Sequence, residues 1–391
     1  MQTLLSKEVQ NFILQHTDAD VTALALQKNK FSGTDWTAIL NQIGARQKAK
    51  TKLPTWFNTE NILYPSKISV EQTSSEKTAA YKAALVSGDL LMDLTGGFGV
   101  DDFYFAQKVS QVIHCEINPE LSAIVKYNFD VLRISNIQCI ANDSTLVLQE
   151  VTQKPDWIYI DPSRRNEAKG KVFMLKDCLP NVPELLDFYF ETTSNIMIKT
   201  APILDITAGL SELKYVREIH IVAVDNEVKE LLWILKKNHT QPVKMVAVNL
   251  AKDQTQSFAF ELNANEKPVV YGLPKQYLYE PNAAIMKSGG FDEIATQFDV
   301  EKLHQHSHLY TSDKLIEFPG RVFRIEQNIG YNKAEMKEFL ENKKANITTR
   351  NFPDSVEIIR KKWKIKDGGN LYCFFTTDAT NNKIVLLCSK I

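Results

Sequence analysis

Three closely spaced glycines form the strongest chemical signal in the chain. A run of apolar residues ends in Asp93, and Gly96, Gly97 and Gly99 follow it almost at once. Glycines at this spacing let the backbone turn sharply and approach a ligand closely, as in the nucleotide-binding turns of α/β folds. A dinucleotide fingerprint would need a further glycine at position 102, where this chain has Asp102. An acid there would lie near the pyrophosphate, so the sequence disfavours a dinucleotide ligand.

The acids that follow the apolar runs favour a different nucleoside ligand. Asp93 before the glycines suits a ligand with a cationic amine, and S-adenosylmethionine carries both an ammonium and a sulfonium group. Glu116 ends the second run, where a carboxylate can accept both ribose hydroxyls. Asn142 and Asp143 end the third run, where either side chain can read the adenine amino group. We therefore expect S-adenosyl-L-methionine to be bound by Asp93, Thr95, Gly96, Gly97, Gly99, Glu116, Asn142 and Asp143.

The fourth apolar run ends in a candidate catalytic element. Asp161, Pro162, Ser163 and Arg164 follow the run directly. Asp161, or the backbone carbonyls beside it, can accept hydrogen bonds from an amine and raise its nucleophilicity. The plane of Arg164 can stack on a base or hold a phosphate; the alternative is that Arg164 and Arg165 only pair with nearby acids. We expect the first four of these residues to be catalytic.

Other reactive residue types give weaker signals. Lys199 ends the fifth run and is either a cation of the site or an edge residue. Methylation at pyrimidine carbon-5 needs a cysteine nucleophile, which this strand end lacks; Cys178 is expected in a helix, packed in the core. The alternating histidines His304, His306 and His308 allow a zinc site, but a solvated loop is the favoured interpretation, and we expect no metal.

The elements that position these residues are read from hydrophobic periodicity. Apolar runs alternate with amphipathic helical patterns, which predicts a doubly wound α/β sheet with its site at the carboxyl ends of the strands. Asp225–Glu227 is read as a helix cap, and Ser257–Leu262 as a final antiparallel strand. The predicted helices include Pro119–Leu132 and Glu227–Lys236. The predicted strands are Leu90–Leu94, Val109–Cys115, Ile137–Ile140, Trp157–Ile160, Ile196–Ile198, Ile219–Val224 and Val243–Val248.

The regions on either side of this sheet differ from it in pattern. Residues 1–75 are expected to be helical up to position 57 and mostly extended or loop over 58–75, with Ser75 capping the next helix. Residues 76–265 form the α/β domain, and 266–330 a small α+β domain. Residues 331–391 are expected in the order α-β-α-β-β.

The tail concentrates basic residues that suit contacts with phosphates. Arg360, Lys361, Lys362 and Lys364 surround a tryptophan in a predicted helix. A charge run of this kind is more often a solvated helix face. We nevertheless expect these four residues, together with Arg165 and Lys199, to bind RNA.

Composition sets the wider limits. The chain has 391 residues, of which 44% are hydrophobic and 24% charged, so disorder, collagen-like repeats and coiled coil are excluded. Its formal net charge of −1 provides no global attraction to nucleic acid, so an RNA partner requires a local basic patch. No apolar stretch approaches the length of a membrane helix. Five scattered cysteines without a signal peptide indicate reduced thiols and a cytoplasmic protein.

The chain resembles the class I S-adenosylmethionine-dependent methyltransferases at Asp93 with its glycines, at Glu116 and at Asp143. Asp161–Arg165 looks like the catalytic element of nucleic-acid methyltransferases, with Ser163 in place of a second proline and Arg164 in place of an aromatic residue. Together with Tyr279–Ala284 and Phe318–Arg321, these motifs resemble the bacterial methyltransferases that have a ferredoxin-like insert and a THUMP-like C-terminal domain.

The resemblance and the residues together predict a methyltransferase that acts on a base nitrogen of structured RNA, tRNA or rRNA. Two alternatives remain open at this stage. One is a methyltransferase of a small molecule or protein, for which the tail is only structural. The other is an RNA-binding protein that retains the fold without catalysis.

Overall fold

The computed structural model describes residues 2–164, 174–264 and 268–391. The chain forms two compact units. Unit 1 consists of Met1–Arg217 and Leu231–Thr240, and unit 2 consists of Glu218–Glu230 and Gln241–Ile391. In the described ranges, no helix is long and apolar enough to cross a membrane.

Unit 1 begins with helices and continues as alternating strands and helices. The helices are α1 (Lys7–Gln15), α2 (Val21–Ala25), α3 (Trp36–Lys52), α4 (Pro54–Asn58), α5 (Lys67–Gln72) and α6 (Glu76–Ala83). The alternating part comprises β1 (Gly88–Asp93), α7 (Val100–Phe105), β2 (Val109–Cys115), α8 (Pro119–Val131), β3 (Ile137–Ile140), α9 (Ser144–Glu150), β4 (Trp157–Ile160), β5 (Ser163–Arg164), β6 (Cys178–Leu179), α10 (Val182–Thr192), β7 (Asn195–Thr200), α11 (Ile206–Glu212), β8 (Val216–Val224) and β9 (Glu227–Lys236). The residues of β8 and β9 are divided between the two units.

The sheet of unit 1 places the ends of five parallel strands at one edge. Its strand order is β9-β7-β4-β1-β2-β3. Strand β1 lies between β2 and β4, and Asp93 is in register with His114 on one side and Tyr159 on the other. The β2–β3 and β4–β7 pairs are also parallel. The expected doubly wound α/β sheet is therefore confirmed, and the segments after β1, β2, β3, β4 and β7 leave it at the same edge.

The prediction of a helix over Glu227–Lys236 is wrong. This segment is strand β9, which pairs antiparallel with β7. Asp225 and Asn226 have φ values of 48° and 66°, so they form a two-residue hairpin turn and not a helix cap. The run from Leu231 to Leu235 is buried throughout, as expected for a strand covered on both faces. Its apolar residues do not alternate, so periodicity alone cannot separate such a strand from a buried helix.

The helix expected at Cys178 is also absent. A short 3-10 helix, Leu175–Asp177, ends just before it, and Cys178 begins the two-residue strand β6, which pairs with β5. Pro180 follows two residues later and disfavours helical geometry in the residue before it. The thiol is fully buried, so the expectation of core packing is confirmed.

Apolar side chains cover both faces of this sheet. On one face, strand residues Leu91, Val112, Trp157 and Met197 pack with residues from α6 and α7. A second cluster joins the glycine-rich turn and helix α8 to the N-terminal helices; its members include Ala45, Ala49, Leu53, Trp56, Phe98, Val125 and Phe129. The N-terminal helices therefore form part of the core that supports the turn after β1.

Polar side chains cap the starts of α1, α2, α3, α5 and α6. Ser75 Oγ accepts a hydrogen bond of 3.2 Å from Thr78 N, which confirms the predicted start of α6. The segment 58–75 is not wholly extended, because Ser66 caps the six-residue helix α5. A helix of this length is too short to show a hydrophobic period in the sequence.

Unit 2 contains two sheets. Strands β8, β10 (Lys244–Leu250) and β11 (Thr255–Glu261) lie in the order β11-β10-β8, with β11 antiparallel as predicted. The second sheet has the order β13-β14-β12-β15-β18-β17-β16. Its strands and the helices beside them are β12 (Tyr277–Pro281), α12 (Ala283–Ser288), α13 (Phe291–Phe298), β13 (Glu301–Lys302), β14 (Tyr310–Ser312), β15 (Gly320–Gly330), α14 (Lys333–Phe339), β16 (Asn346–Thr349), α15 (Val356–Trp363), β17 (Tyr372–Thr377) and β18 (Lys383–Lys390). From α14 onwards, the order α-β-α-β-β agrees with the sequence prediction.

Candidate active site

The turn between β1 and α7, here called the glycine bend (residues 93–99), is shaped by close contacts that only glycine permits. Gly97 has φ 56°, in the left-handed region, and Gly99 has φ 74° and begins α7. A Cβ atom on Gly96 would lie 2.2 Å from Cε1 of His114, so the backbone rests directly on that ring. A Cβ atom on Gly97 would meet nothing closer than 3.6 Å. The bend is thus packed tightly at Gly96 and open at Gly97.

Glu116 fixes the open part of the bend. Gly97 N donates to Glu116 Oε2 at 3.0 Å, and Asn118 N donates to Oε1 at 2.8 Å. Each carboxylate oxygen has a second lone pair, so both can accept a further hydrogen bond. Glu116 is partly exposed at the end of β2, where the sequence predicted a ribose-binding acid.

Thr95 connects the bend to the fourth strand. Its backbone N and its Oγ1 donate to Asp93 Oδ1 at 2.7 and 3.1 Å. The same Oγ1 accepts from Asp161 N at 2.7 Å. One hydroxyl therefore acts as donor and acceptor at once, and it joins the predicted cofactor segment to the predicted catalytic segment.

Beneath the bend lies a buried cluster of three titratable groups, Asp93, Asp102 and His114. Asp93 is 2% exposed, and the other two are fully buried. His114 Nδ1 lies 2.6 Å from Asp102 Oδ2. Burial raises the pKa of both Asp93 and Asp102 well above the usual range; the charge of Asp102 adds to the shift of Asp93, and the charge of Asp101 adds to that of Asp102. Burial also lowers the pKa of His114. All three shifts favour the uncharged forms.

The position of Asp102 corrects one step of the sequence argument. Asp102 was expected to face the ligand and repel a pyrophosphate, but it points into the protein and pairs with His114. It occupies the place where a glycine would bring helix and strand together in a dinucleotide fold. Asp93 likewise lies under the bend, where its carboxyl group holds Thr95. Direct contact of Asp93 with an ammonium group stays a prediction.

Asp161 and Lys199 form an ion pair at the strand ends. Lys199 Nζ donates to Asp161 Oδ2; the Asp161 side chain is 35% exposed and that of Lys199 is 13% exposed. Burial alone would raise the pKa of Asp101 in α7, but the charges of Lys82 and Lys199 lower it. Lys199 therefore lies beside Asp161 at this edge, and its role as a cation of the site stays a prediction. A contact with RNA stays a prediction.

The remaining predicted residues of this edge lie where the sequence placed them. Pro162 is buried and Ser163 exposed after β4, and the backbone of Arg164 pairs with that of Cys178. Arg165 lies outside the described residues. Asn142 and Asp143 are exposed at the end of β3, where Asp143 caps α9 by accepting from Thr145 N. Because Glu116 N donates to Ile140 O at 3.1 Å, the ends of β2 and β3 are adjacent.

The predicted RNA-binding residues of the tail fall into two groups. Arg360 donates to two backbone carbonyls and to Asp367, so its guanidinium is used to hold the tail together. Lys362 lies over two aromatic rings and donates to a tyrosine hydroxyl. Lys361 and Lys364 are exposed. The structure thus uses Arg360 within the tail, whereas Lys361, Lys362 and Lys364 are all exposed, Lys362 beside its aromatic neighbours.

The histidine run takes part in local packing. His308 stacks on Phe291 with 3.6 Å between ring centroids, and burial lowers its pKa to about 4. His304 contacts Asn351 and Asn381. Among the described residues, no group of three or more His, Cys, Asp or Glu is arranged to hold a metal ion.

Two features of the site were missed from the sequence. Thr95 was assigned to the cofactor without its link to Asp161, and His114 was given no role. A histidine two residues before Glu116, level with an acid-led glycine bend, was the available signal for the buried cluster. The link through Thr95 left no sequence signal, because it depends on the register of β1 and β4.

Comparison with known proteins gives a match along the whole chain. A protein from Porphyromonas gingivalis W83, whose crystal structure is named as that of a "putative methyltransferase", is 30% identical; the match covers 100% of this chain and 98% of that one, with a TM-score of 0.89. A family model for a ferredoxin-like domain matches residues 277–319, and a THUMP domain-like model matches residues 320–390. An uncharacterized RNA methyltransferase from Clostridium acetobutylicum is 35% identical over 102 residues, which are 26% of this chain and 22% of that protein.

Proposed function

Because the chain belongs to the family of class I methyltransferases with a THUMP-like C-terminal domain, we propose that it uses S-adenosyl-L-methionine to methylate a base nitrogen of structured RNA, tRNA or rRNA. The observation that carries this proposal is the hydrogen-bond chain through Thr95. It ties the bend that would hold the cofactor to the segment that would hold the target amine. A protein that only bound RNA would have no need for that connection.

The residues present fit the cofactor. The open side of Gly97 leaves room for a ligand against the backbone. Glu116, already oriented by two backbone N–H groups, has lone pairs left for two ribose hydroxyls. The exposed Asn142 and Asp143 at the neighbouring strand end would read the adenine amino group. Asp93 and Thr95 would hold the shape of the bend.

Methyl transfer depends more on the positioning of the reacting groups than on acid–base catalysis. When bound, S-adenosyl-L-methionine supplies an already activated methyl group. Lys199 holds Asp161 Oδ2, which leaves Oδ1 to accept a hydrogen bond from the amine and orient its lone pair. Asp161 N is held by Thr95, so the backbone of the target segment is fixed relative to the bend. Alignment of this kind can supply several powers of ten in rate.

RNA is the proposed substrate because of the C-terminal region. The THUMP domain-like match covers 320–390, and the Clostridium acetobutylicum relative is named an RNA methyltransferase, although the match spans about a fifth of that protein. Lys361 and Lys364 present charge to solvent in the same region. In the proposal, Arg164 and Arg165 meet the target nucleotide; that assignment rests on their place after Ser163 in the sequence.

The proposal is tested by methyl transfer with the full-length protein. Tritium from labelled S-adenosyl-L-methionine is followed into total RNA, total protein and small metabolites, and the labelled nucleosides are identified by mass spectrometry. We expect label in RNA at a base nitrogen and a loss of about 10²- to 10⁴-fold in Asp161→Ala. The matched control is Asp253→Ala, which removes an exposed aspartate of unit 2 and should retain activity.

Two results would contradict the proposal in different ways. Label in protein or in a small metabolite would show that the substrate is not RNA, while the protein would still be a methyltransferase. If calorimetry detects no binding of adenosylhomocysteine, the protein has the methyltransferase fold but not the proposed activity.

A further inference from the structure

A cavity in unit 2 is lined by residues of the two sequence motifs that the proposed reaction does not use. Its volume is about 410 Å³, and Glu280, Pro281 and Ala283 come from the segment 279–284. Arg321 comes from the segment 318–321, and Asn226, Met286, Lys287 and Arg350 complete the lining. We call it the Glu280 cavity. It lies where residues matched by the ferredoxin-like and THUMP domain-like models meet within one sheet.

The two motifs build this cavity through strand pairing. Glu280 and Arg321 are directly opposite each other on the antiparallel strands β12 and β15. A Cβ atom on Gly320 would lie 2.0 Å from the carbonyl oxygen of Glu280, so the strands approach closely at that point. Asn282 caps α12, and Ala283 N donates to Asn226 Oδ1 at 2.7 Å. The residues of both motifs are therefore spaced so that they form the walls of the Glu280 cavity.

A single buried carboxylate orders two arginines around the cavity. Arg321 Nε donates to Glu280 Oε2 at 2.7 Å, its Nη2 reaches the same oxygen, and Arg350 Nη2 donates to Oε1 at 3.0 Å. The Glu280 side chain is 4% exposed. Both guanidinium groups are held in place, yet each has more donors than Glu280 can accept.

Donors remain after these pairs are formed. Arg350 Nε is buried and has no hydrogen-bond partner within the described chain. Because Asn226 Oδ1 accepts from Ala283 N, the amide nitrogen of Asn226 is its remaining polar group. The two arginines and Glu280 together carry a formal charge of +1 (2 − 1), and the donors of Asn226, Arg321 and Arg350 come from three separate segments.

We propose that the Glu280 cavity is a binding site for a phosphate monoester. Two ordered guanidinium groups favour an oxyanion, and charge-assisted bonds to phosphate oxygens are among the strongest that arginine makes. Donors on several sides suit a tetrahedral group with three terminal oxygens better than a planar carboxylate. The positive charge of the two arginines exceeds the negative charge of Glu280, which favours an anionic ligand, and the remaining volume accommodates the sugar that carries the phosphate. The ligand is either a free nucleotide or the 5′-phosphorylated end of an RNA strand.

The site is tested by calorimetry on the full-length protein with AMP, inorganic phosphate and acetate at one ionic strength. We expect AMP and phosphate to bind and acetate to be much weaker. Arg350→Gln should weaken AMP binding by at least about tenfold, since it removes a charge-assisted donor. Arg324→Gln, on the opposite face of β15, is the matched control and should stay within about twofold. Lys287→Gln leaves the Glu280 pairs intact, so it keeps the test valid if Arg350→Gln does not fold.

Two oligonucleotides of one sequence, with a 5′-phosphate or a 5′-hydroxyl, distinguish the sources. A tighter complex with the phosphorylated strand, lost in Lys287→Gln, identifies an RNA end; AMP binding with no difference between strands identifies a free nucleotide. The proposal is overturned if AMP does not bind, if acetate binds as well as phosphate, or if neither Arg350→Gln nor Lys287→Gln changes the affinity. These measurements use no methyl donor, so they are independent of whether the protein methylates RNA.

Discussion

Beneath the glycine bend of unit 1, the acids Asp93 and Asp102 are buried against each other and against a histidine, whereas the buried Glu280 of unit 2 is held between two arginines. The first arrangement removes charge, because burial shifts every member towards its uncharged form. The second keeps charge and balances it with cations.

The difference predicts which ligands each region can take. Around the bend, the groups that remain for a ligand are mainly acceptors, such as Glu116 and Asp161, which suit hydroxyl and amine groups. Around Glu280, the remaining groups are N–H donors, which suit an anion. The uncharged cluster of unit 1 fixes the backbone of the bend without attracting ions. In unit 2, the neutralised carboxylate of Glu280 orders two arginines whose other donors remain for a ligand.

The largest expected effect comes from the link between the bend and Asp161. Thr95→Val keeps the shape of the side chain and removes the hydroxyl that accepts from Asp161 N. We expect kcat for methyl transfer to fall by about 10²-fold, because a small misplacement of reacting groups has effects of that size. The KM for the cofactor should change less, and Thr95→Ser should recover most of the activity. Steady-state kinetics on all three proteins checks this, and an unchanged kcat in Thr95→Val would show that the link has no part in positioning.

A pair of glycines tests whether the open side of the bend holds a ligand. Gly97 and Gly289 both have positive φ, 56° and 74°, and neither has a close contact at its Cβ position. Replacement by alanine should lower the free energy of unfolding by about 1–2 kcal/mol at either site, as left-handed geometry does. Only Gly97→Ala should also raise the Kd for adenosylhomocysteine, by about tenfold. Equal losses of affinity in both variants would mean that the change acts through stability. No loss of affinity in either variant would show that the ligand does not bind against Gly97.

The uncharged cluster is expected to appear in the pH dependence of stability. Since the pKa of Asp102 is raised in the folded protein, its contribution is complete below the unfolded value of 3.8 and is lost as pH rises towards the folded pKa. His114 acts in the opposite sense only below pH 6.5, where its lowered pKa makes stability rise with pH. Urea unfolding of the wild type and of Asp102→Asn across pH 4–9 separates the two contributions. The free energy of unfolding of the variant should rise relative to that of the wild type as pH rises. Each unit of pKa shift corresponds to about 1.4 kcal/mol, and a constant difference would show that Asp102 is charged when folded.

The sequence predicted the sheet edge well because strand ends carry local signals. Asp93, Glu116, Asp143 and Asp161 each follow a short apolar run, and parallel strands bring such positions together. Periodicity failed at β9, where a strand covered on both faces has no alternation to read. It also could not show that the side chain of Asp102 points inwards, because an aspartate in the first turn of a helix is expected at the surface unless a buried partner such as His114 is known.

Contacts between distant segments were beyond the sequence. Arg350 reaches Glu280 across 70 positions, and neither residue alone indicates a partner. The motifs around Glu280 and Arg321 belong to the family resemblance, but their physical reason is strand pairing and a close approach at Gly320. Likewise the basic run of the tail showed charge without showing that Arg360 is used to hold backbone carbonyls.

The smallest expected effect compares the tail surface with the Glu280 cavity. Replacing both Lys361 and Lys364 by glutamine removes two exposed charges, so RNA affinity should fall only a few-fold and the slope of log K against log salt by up to about two. Stability should change by less than about 0.5 kcal/mol. Arg360→Gln should do the reverse and lower the free energy of unfolding by about 1–3 kcal/mol, because it leaves buried acceptors without a donor.

Filter binding at several salt concentrations, beside urea unfolding, checks both variants. A lower salt slope in the double lysine variant would mean that the exposed lysines of the tail contact RNA phosphates. Loss of only the preference for a 5′-phosphate in Arg350→Gln would mean that the Glu280 cavity binds that terminal phosphate. If the lysine variant leaves the slope unchanged, the exposed tail charges do not meet phosphates, and anion recognition in unit 2 belongs to the ordered arginines alone.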